Sequence, residues 1–125
     1  MDQKASCCQT KRYCLVFACS GACDVGAISD QAARALSGKG AVYMSCIAAI
    51  GAKIEDITQK ARAAVKIVAI DGCSGNCSKI ILKQEGFGAF GHICLEDLGM
   101  EKGKTPISEE RVSWVAAKAA EALGL

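Results

Sequence analysis

The feature that most constrains the fold is a unit, repeated four times, in which a short apolar run precedes a segment with helical spacing of apolar residues. The runs, predicted as strands, lie at residues 13–18, 41–47, 66–70 and 92–95. Their largely continuous apolar character is typical of strands buried on both faces of a parallel sheet. Alternating strands and helices predict parallel strands joined by right-handed crossovers. We therefore predict a single three-layer α/β domain with helices on both faces of a mainly parallel four-stranded sheet, in the order 2-1-3-4.

Residues with known capping preferences mark the ends of the helices. Asp24 is predicted as the N-cap of the first helix. Apolar residues at helical spacing predict a second helix within 54–64 and a third that ends near Gln84. Pro106 is predicted at the first position of the terminal helix, where a missing backbone N–H has no cost.

Composition and charge narrow the class of protein. The chain of 125 residues fits one domain, predicted over 12–125, and residues 1–11 are expected to form a flexible N-terminal segment. The net charge of +2 comes from dispersed basic residues, so nucleic acid and anionic membranes are not expected as partners. The sequence has neither the apolar run of a membrane span nor that of a secretory signal. We expect a cytoplasmic protein.

Nine cysteines are unusual for such a chain. Because the number is odd, disulfides cannot pair them all, and in a reducing cytosol such a count indicates metal binding or redox chemistry. Cys14 and Cys94 lie inside predicted strands and are interpreted as core residues. Cys7 and Cys8 lie in the N-terminal segment and are interpreted as incidental.

The remaining five cysteines follow the carboxyl ends of predicted strands: Cys19, Cys23, Cys46, Cys73 and Cys77. In the predicted order the first and third strands are neighbours at the switch point, where open α/β sheets place their sites. Three separate segments thus bring thiols to one edge of the sheet. This placement predicts a metal site built from these residues.

The spacing of the cysteines also suits a metal ion. Cys19 and Cys23 are separated by three residues, as are Cys73 and Cys77, and structural zinc sites use pairs with two to four intervening residues. A helix is predicted after each pair, and its N-terminus favours the thiolate that metal binding requires. We therefore predict zinc. Four thiolates would close a tetrahedron and favour storage, sensing, delivery or a structural role, whereas three plus water would favour catalysis.

Two other uses of the same cysteines remain open at this stage. A redox-active dithiol is the main alternative, although the usual C-x-x-C spacing is absent. Residues 19–23 also resemble an anion-binding loop before a helix. A cysteine phosphatase loop needs an arginine near its end, and Arg34 lies well into the predicted helix.

Three further features have structural interpretations. His92, the single histidine, is expected at the opposite edge from the cysteines, which weakens a Cys–His nucleophile. Asp71 is interpreted as a cap for the helix that follows it. Residues 86–91 are rich in glycine and are interpreted as a tolerant connection, with a flexible lid as the alternative.

The strand-exit sequence Asp71-Gly72-Cys73 resembles the central motif of the DGC-domain family of zinc-binding proteins. Residues 19–21 together with Val25-Gly26 resemble the first motif of that family, and Cys46 matches its second cysteine. Residues 92–99 are also similar, so that the resemblance spans residues 13–103. It implies zinc as cofactor and four chelating cysteines, which fall on Cys19, Cys46, Cys73 and Cys77.

One residue departs from the family pattern. Cys23 stands where such sequences usually have a small residue without a thiol. A fifth thiol can compete as a ligand, leave one cysteine free, or help to hold an iron–sulfur cluster. The sequence therefore leaves two classes of function: a zinc-binding module, and a thiol redox enzyme or iron–sulfur protein that uses the same cysteines. It identifies no substrate, protein partner or oligomeric state.

Overall fold

The computed structural model describes residues 12–125 as four strands and five α-helices. The expected flexible segment 1–11, with Cys7 and Cys8, lies outside the described residues. The strands are β1 (Cys14–Ala18), β2 (Val42–Met44), β3 (Lys66–Asp71) and β4 (Gly91–Cys94). The helices are α1 (Asp24–Leu36), α2 (Ile47–Gly51), α3 (Glu55–Ala63), α4 (Cys77–Gln84) and α5 (Glu109–Ala122), and a short 3-10 helix spans Leu95–Leu98. Across residues 12–125, none of these helices combines the length and apolar character that a membrane crossing requires.

The sheet has the order β2-β1-β3-β4, and every pair of neighbouring strands is parallel. This confirms the predicted topology. The β1–β3 pairing is the longest and runs from Cys14 opposite Lys66 to Ala18 opposite Ile70. The carboxyl ends of β1 and β3 therefore lie side by side, at the point where the chain winds in opposite directions across the sheet.

Helices cover both faces of the sheet, as predicted. On one face α1 and α5 pack over a core that includes Val16, Val68 and Ile70. On the other face α2, α3 and α4 surround Phe17, Ala69 and their neighbours. Side chains of one strand alternate between the two faces, so each strand contributes to both cores. This double burial explains why the strands are nearly continuous in apolar residues.

The second βα unit differs from the prediction in one respect. The strand ends at Met44 rather than near residue 47, and Ile47–Gly51 forms the short helix α2. Ile47 and Ile50 are buried in the core of the α2–α4 face. A short apolar run is compatible with either a strand or a helix. Here the last part of the run is helical, and the helix buries its two isoleucines in this core. Cys46 is therefore the N-cap residue of α2, without a side-chain capping bond.

Two helix starts also differ from the sequence prediction. The N-cap of α1 is Cys23, and Asp24 is the first helical residue. The terminal helix begins at Glu109 after the N-cap Ser108, whose hydroxyl accepts a hydrogen bond from the N–H of Arg111. Pro106 thus lies before the helix rather than at its first position. A side-chain capping bond at Ser108 satisfies a free helix N–H, which proline cannot do.

Asp24 connects α1 to a distant loop. Its carboxylate accepts hydrogen bonds from the backbone N–H groups of Val25, Gly103 and Thr105 at 2.7–3.0 Å. The bonds from Gly103 and Thr105 are the main causes that hold the pKa of Asp24 below its usual value of 3.8. A single charged group thus fixes the loop before α5 to the first turn of α1.

Asp24→Asn is expected to lower stability at neutral pH and to flatten its acid dependence. Because the folded-state pKa of Asp24 is depressed, the charged carboxylate stabilises the fold above the unfolded value. That contribution is lost as the pH falls through the lower folded value. Urea unfolding between pH 7 and acid pH measures both effects. Identical acid profiles for wild type and variant would show that Asp24 does not anchor the loop.

Candidate functional site

Two cysteine loops meet at the carboxyl ends of β1 and β3: the first loop spans residues 19–23, and the second loop spans residues 72–77, including the first residue of α4. Between them lies a cavity of about 360 Å³, here called the inner cavity. Four of the five predicted site cysteines line it: Cys19, Cys23, Cys73 and Cys77. The prediction that the first and third strands bring thiols together is met by these four residues. The fifth, Cys46, is not among the residues that line this cavity.

Two hydrogen bonds tie Cys19 to β3 and to the loop that follows β3. Its backbone N–H donates to the carbonyl of Ile70 at 3.1 Å, which extends the strand pairing by one residue. Its Sγ accepts a hydrogen bond from the N–H of Gly72 at 3.4 Å. The sulfur of the first loop therefore already contacts the backbone of the second loop.

Contact between two backbones holds the loops together. A Cβ on Gly72 would lie 2.7 Å from the carbonyl carbon of Val25, in the first turn of α1. A Cβ on Gly26 would lie 2.7 Å from the carbonyl oxygen of Gly21. A real Cβ does not lie this close to another heavy atom, so only glycine at these two positions permits the backbones to approach. Gly72 thus permits the second loop to contact the first turn of α1, and Gly26 permits that turn to contact Gly21 of the first loop.

The two thiols of the second loop, Cys73 and Cys77, both lie near Gly75. A Cβ on Gly75 would lie 3.5 Å from the Sγ of Cys73 and 3.9 Å from the Sγ of Cys77. Asn76, which precedes Cys77, has a left-handed backbone with φ +51°, a conformation that asparagine adopts more readily than most residues. The turn therefore directs both sulfurs to the same region.

Two carboxylates accept hydrogen bonds from backbone N–H groups in and directly after the second loop. Glu96 accepts a hydrogen bond from the N–H of Ser74 at 2.6 Å. Asp71 is 1% exposed and accepts hydrogen bonds from the N–H groups of Ser78 and Lys79, in the first turn of α4. Asp71 is thus the cap that the sequence predicted. Glu96 was not foreseen, because nothing local in the sequence relates the 3-10 helix to the loop.

His92 lies closer to the site than expected. Its Nε2 is 2.9 Å from Oδ2 of Asp71, a geometry in which the imidazole N–H donates to the carboxylate. The expectation that His92 lies at the opposite edge was wrong. In the β3–β4 register His92 pairs with Ala69, and alternation places Asp71 on the same face as Ala69. The strand pairing therefore contains the signal, but only after β3 and β4 are known to be neighbours.

The first loop is fixed by Asp30 on α1. Ser20, directly after Cys19, has a left-handed backbone with φ +53°, and its hydroxyl donates to Asp30 at 2.8 Å. Arg34 Nε donates to the same carboxylate at 2.7 Å. Partial burial raises the pKa of Asp30, but the hydrogen bonds from Arg34 and Ser20 outweigh it, and the pKa lies below its usual value. A charged network therefore supports the strained turn after Cys19.

Cys46 lies in a second, larger cleft of about 930 Å³, here called the outer cleft. This cleft is bounded by the ends of β1 and β2 and by α2, and Cys19 lines it as well as the inner cavity. Arg34, which appeared too distant from the sequence, also lines the outer cleft, with its guanidinium bonded to Asp30. Cys19 is thus shared, whereas Cys46 is separated from the second loop by β1.

The remaining interpretations concern residues away from the site. Cys94 is buried, and burial raises the pKa of its thiol, while Cys14 is partly buried against the core of the α1–α5 face. Both are core residues, as predicted. Phe87 is buried in the other core beneath Arg62, so the glycine-rich segment packs down as a connection near the start of β3. It lies at the opposite end of the sheet from the cysteines.

The donor atoms that line the inner cavity are mainly thiol sulfurs. Its four thiols are the kind of ligand that suits zinc, copper(I) or iron–sulfur clusters. The one carboxylate on its wall, Asp71, is already engaged by three donors. Within residues 12–125, no three Cys, His, Asp or Glu side chains converge at the spacing of a bound metal ion.

Comparisons with known proteins agree with the sequence motifs. The family model of the DGC domain matches residues 15–119. A Pseudomonas aeruginosa protein, the anaerobic and virulence modulator AnvM, is 33% identical over 88 residues, which are 70% of this chain and 67% of AnvM. No solved structure shows significant similarity.

Proposed function

The chain belongs to the DGC-domain family, and on this premise we propose that it is a metal-binding protein that holds zinc through cysteine thiolates at the inner cavity. The observation that carries the proposal is the meeting of thiols from two separate loops in one cavity of about 360 Å³. Paired thiols from two loops are the usual ligand supply of a structural zinc site.

The charges around the cavity support a thiolate site. Four thiolates around a divalent ion carry a net negative charge, and burial of that charge is costly without compensation. Lys102 lies on the wall of the inner cavity. Cys23 is the N-cap of α1, so the positive end of the helix dipole lies beside this thiol, although the Asp24 carboxylate in the same turn already accepts a hydrogen bond from the N–H of Val25.

The chain's own residues prepare the site. Glycine contacts keep the loops adjacent, Asp71 and Glu96 hold the second loop, and Asp30 holds the turn after Cys19. When bound, the ion would join the two loops by metal–sulfur bonds and so stabilise their contact. A site closed by four thiolates leaves no open coordination position, which favours a storage, sensing, delivery or structural role over catalysis.

Cys73→Ser is expected to remove most of the zinc from protein purified without oxygen, which should otherwise carry about one ion per chain. Serine keeps the size of the side chain but is a much poorer ligand for a soft metal. Elemental analysis and titration of free thiols provide the measurement. Cys94→Ser is the matched control, because Cys94 is buried and is not among the residues that line the inner cavity, and it should retain the metal. Equal loss in both variants would place the site elsewhere.

A thiol redox function is the second candidate. Its support is the name of the relative AnvM, an anaerobic and virulence modulator, together with seven free thiols among residues 12–125. In this case a peroxide would oxidise two thiols to a disulfide and be reduced to water. Protein that carries neither zinc nor iron, and that loses two titratable thiols on peroxide treatment, would favour this function. A visible absorption band would indicate an iron–sulfur cluster instead.

A further inference from the structure

We infer that Cys23, rather than Cys46, completes the set of four thiols in this chain, and that Cys46 remains an accessible thiol in the outer cleft. The inference rests on the proposed function, since it assigns the ligands of the same site. It departs from the ligand set that the family resemblance implies. Its basis is the placement of Cys23 and Cys46 relative to the sheet.

Strand order separates Cys46 from the second loop. A tetrahedral zinc–thiolate site needs sulfurs about 4 Å apart. Neighbouring strands are about 4.8 Å apart, so loops that follow β1 and β3 can meet this requirement. Cys46 follows β2, which lies two strand spacings, or about 10 Å, from β3. Cys46 would therefore have to cross the end of β1 to join Cys73.

The two faces of the sheet separate the residues further. Cys23 and Cys73 both pack against the core of the α1–α5 face. Cys46 instead leads into α2, whose Ile47 and Ile50 belong to the core of the opposite face. Because α2 is held by these buried residues, moving Cys46 towards the inner cavity would pull apolar side chains out of a core.

The contacts of Gly72 keep Cys23 close to the second loop, whereas Cys46 is held away from it. Val25 and Gly26 lie against Gly72, so the start of α1 cannot move away from the second loop without breaking this contact. Cys23, the N-cap of α1, is partly buried in the inner cavity, whereas Cys46 is exposed. Cys77 is exposed as well, so exposure alone does not distinguish it from Cys46. Bound zinc would protect Cys77 as a ligand, whereas Cys46, which lies in the outer cleft and outside this ligand set, would remain open to a thiol reagent.

Alkylation of the zinc-loaded wild-type chain tests the assignment directly. The protein is loaded with zinc alone and treated briefly with N-ethylmaleimide, and the modified residues are mapped by mass spectrometry. We expect Cys46 to be modified while the four thiols of the inner cavity are protected, and removal of zinc with a chelator to expose those four. Modification of Cys23 together with protection of Cys46 would overturn the inference and leave the proposed function intact.

A matched pair of variants supplies a second measurement. Loss of a hydrogen-bonding partner of a zinc ligand already costs about 10- to 100-fold in affinity, so C23S, which loses a ligand, should bind zinc at least about 100-fold more weakly. C46S should match the wild type. Circular dichroism checks that both variants fold. The reverse ranking would overturn the inference, and a wild-type chain that binds no zinc would overturn the proposed function and the inference together.

Discussion

Gly72→Ala is expected to lower the free energy of unfolding by about 3 kcal/mol or more, which is at or above the upper end of the usual cost of overpacking. The added Cβ would lie 2.7 Å from the carbonyl carbon of Val25 and 2.8 Å from the N of Gly26. Backbone atoms in the first turn of α1 cannot rotate away as a flexible side chain can. The variant must therefore separate α1 from the loop after β3, or distort both.

Urea unfolding measures this effect, and Gly88→Ala is the control. A Cβ at Gly88 would meet nothing within 4 Å. This substitution should leave stability unchanged or raise it by up to about 1 kcal/mol, because alanine restricts the unfolded chain. If Gly72→Ala were as stable as Gly88→Ala, backbone contact between the two cysteine loops would not be what holds them together.

Asp71→Ala is expected to cost about 3 kcal/mol, since it leaves three buried or partly buried donors without their acceptor. These donors are the N–H groups of Ser78 and Lys79 and the imidazole of His92. The first turn of α4 carries Cys77, so its loosening should also disturb the inner cavity. Thermal unfolding and the maleimide reactivity of Cys77 in the metal-free protein measure the two consequences.

The exposed residue Asp97 provides the comparison for this substitution. Asp97→Ala should change stability by less than about 0.5 kcal/mol, as is usual for surface positions. The stability of Asp71→Asn should lie between those of Asp71→Ala and Asp97→Ala. The amide oxygen of asparagine can still accept a hydrogen bond, but its NH₂ group meets an N–H group that the carboxylate used to accept. An Asp71→Ala variant as stable as Asp97→Ala would mean that Asp71 neither caps α4 nor holds His92.

Much of the fold was predictable because its signals are local. The apolar runs and helical spacing indicated four βα units, and the handedness of crossovers left few topologies to consider. The order β2-β1-β3-β4 was the choice made among these few topologies, and it is confirmed. The missed helix α2 had no such signal, because a short apolar run at residues 41–47 fits a strand equally well.

The candidate site was predictable only in part, for a related reason. The sequence placed five thiols at the carboxyl edge because position after a strand is a local property. Which thiols share a cavity depends on which strands are neighbours, and the loops after β1 and β3 bring four of the five thiols into the inner cavity. His92 illustrates the same limit, since its contact with Asp71 follows from the β3–β4 register.

The fold class and the position of five cysteines after predicted strands thus follow from the amino-acid sequence alone, because hydrophobic periodicity and the alternation of strands with helices are local properties. The strand order was one choice among the few topologies that these properties allow, and the structure confirms it. Only the tertiary structure decided that Cys23 lies with Cys73 and that Cys46 lies across β1 in a separate cleft. The physical reason is steric: the backbones at Gly72 and Val25, which are far apart in the chain, lie so close that a Cβ on Gly72 would be 2.7 Å from the Val25 carbonyl carbon.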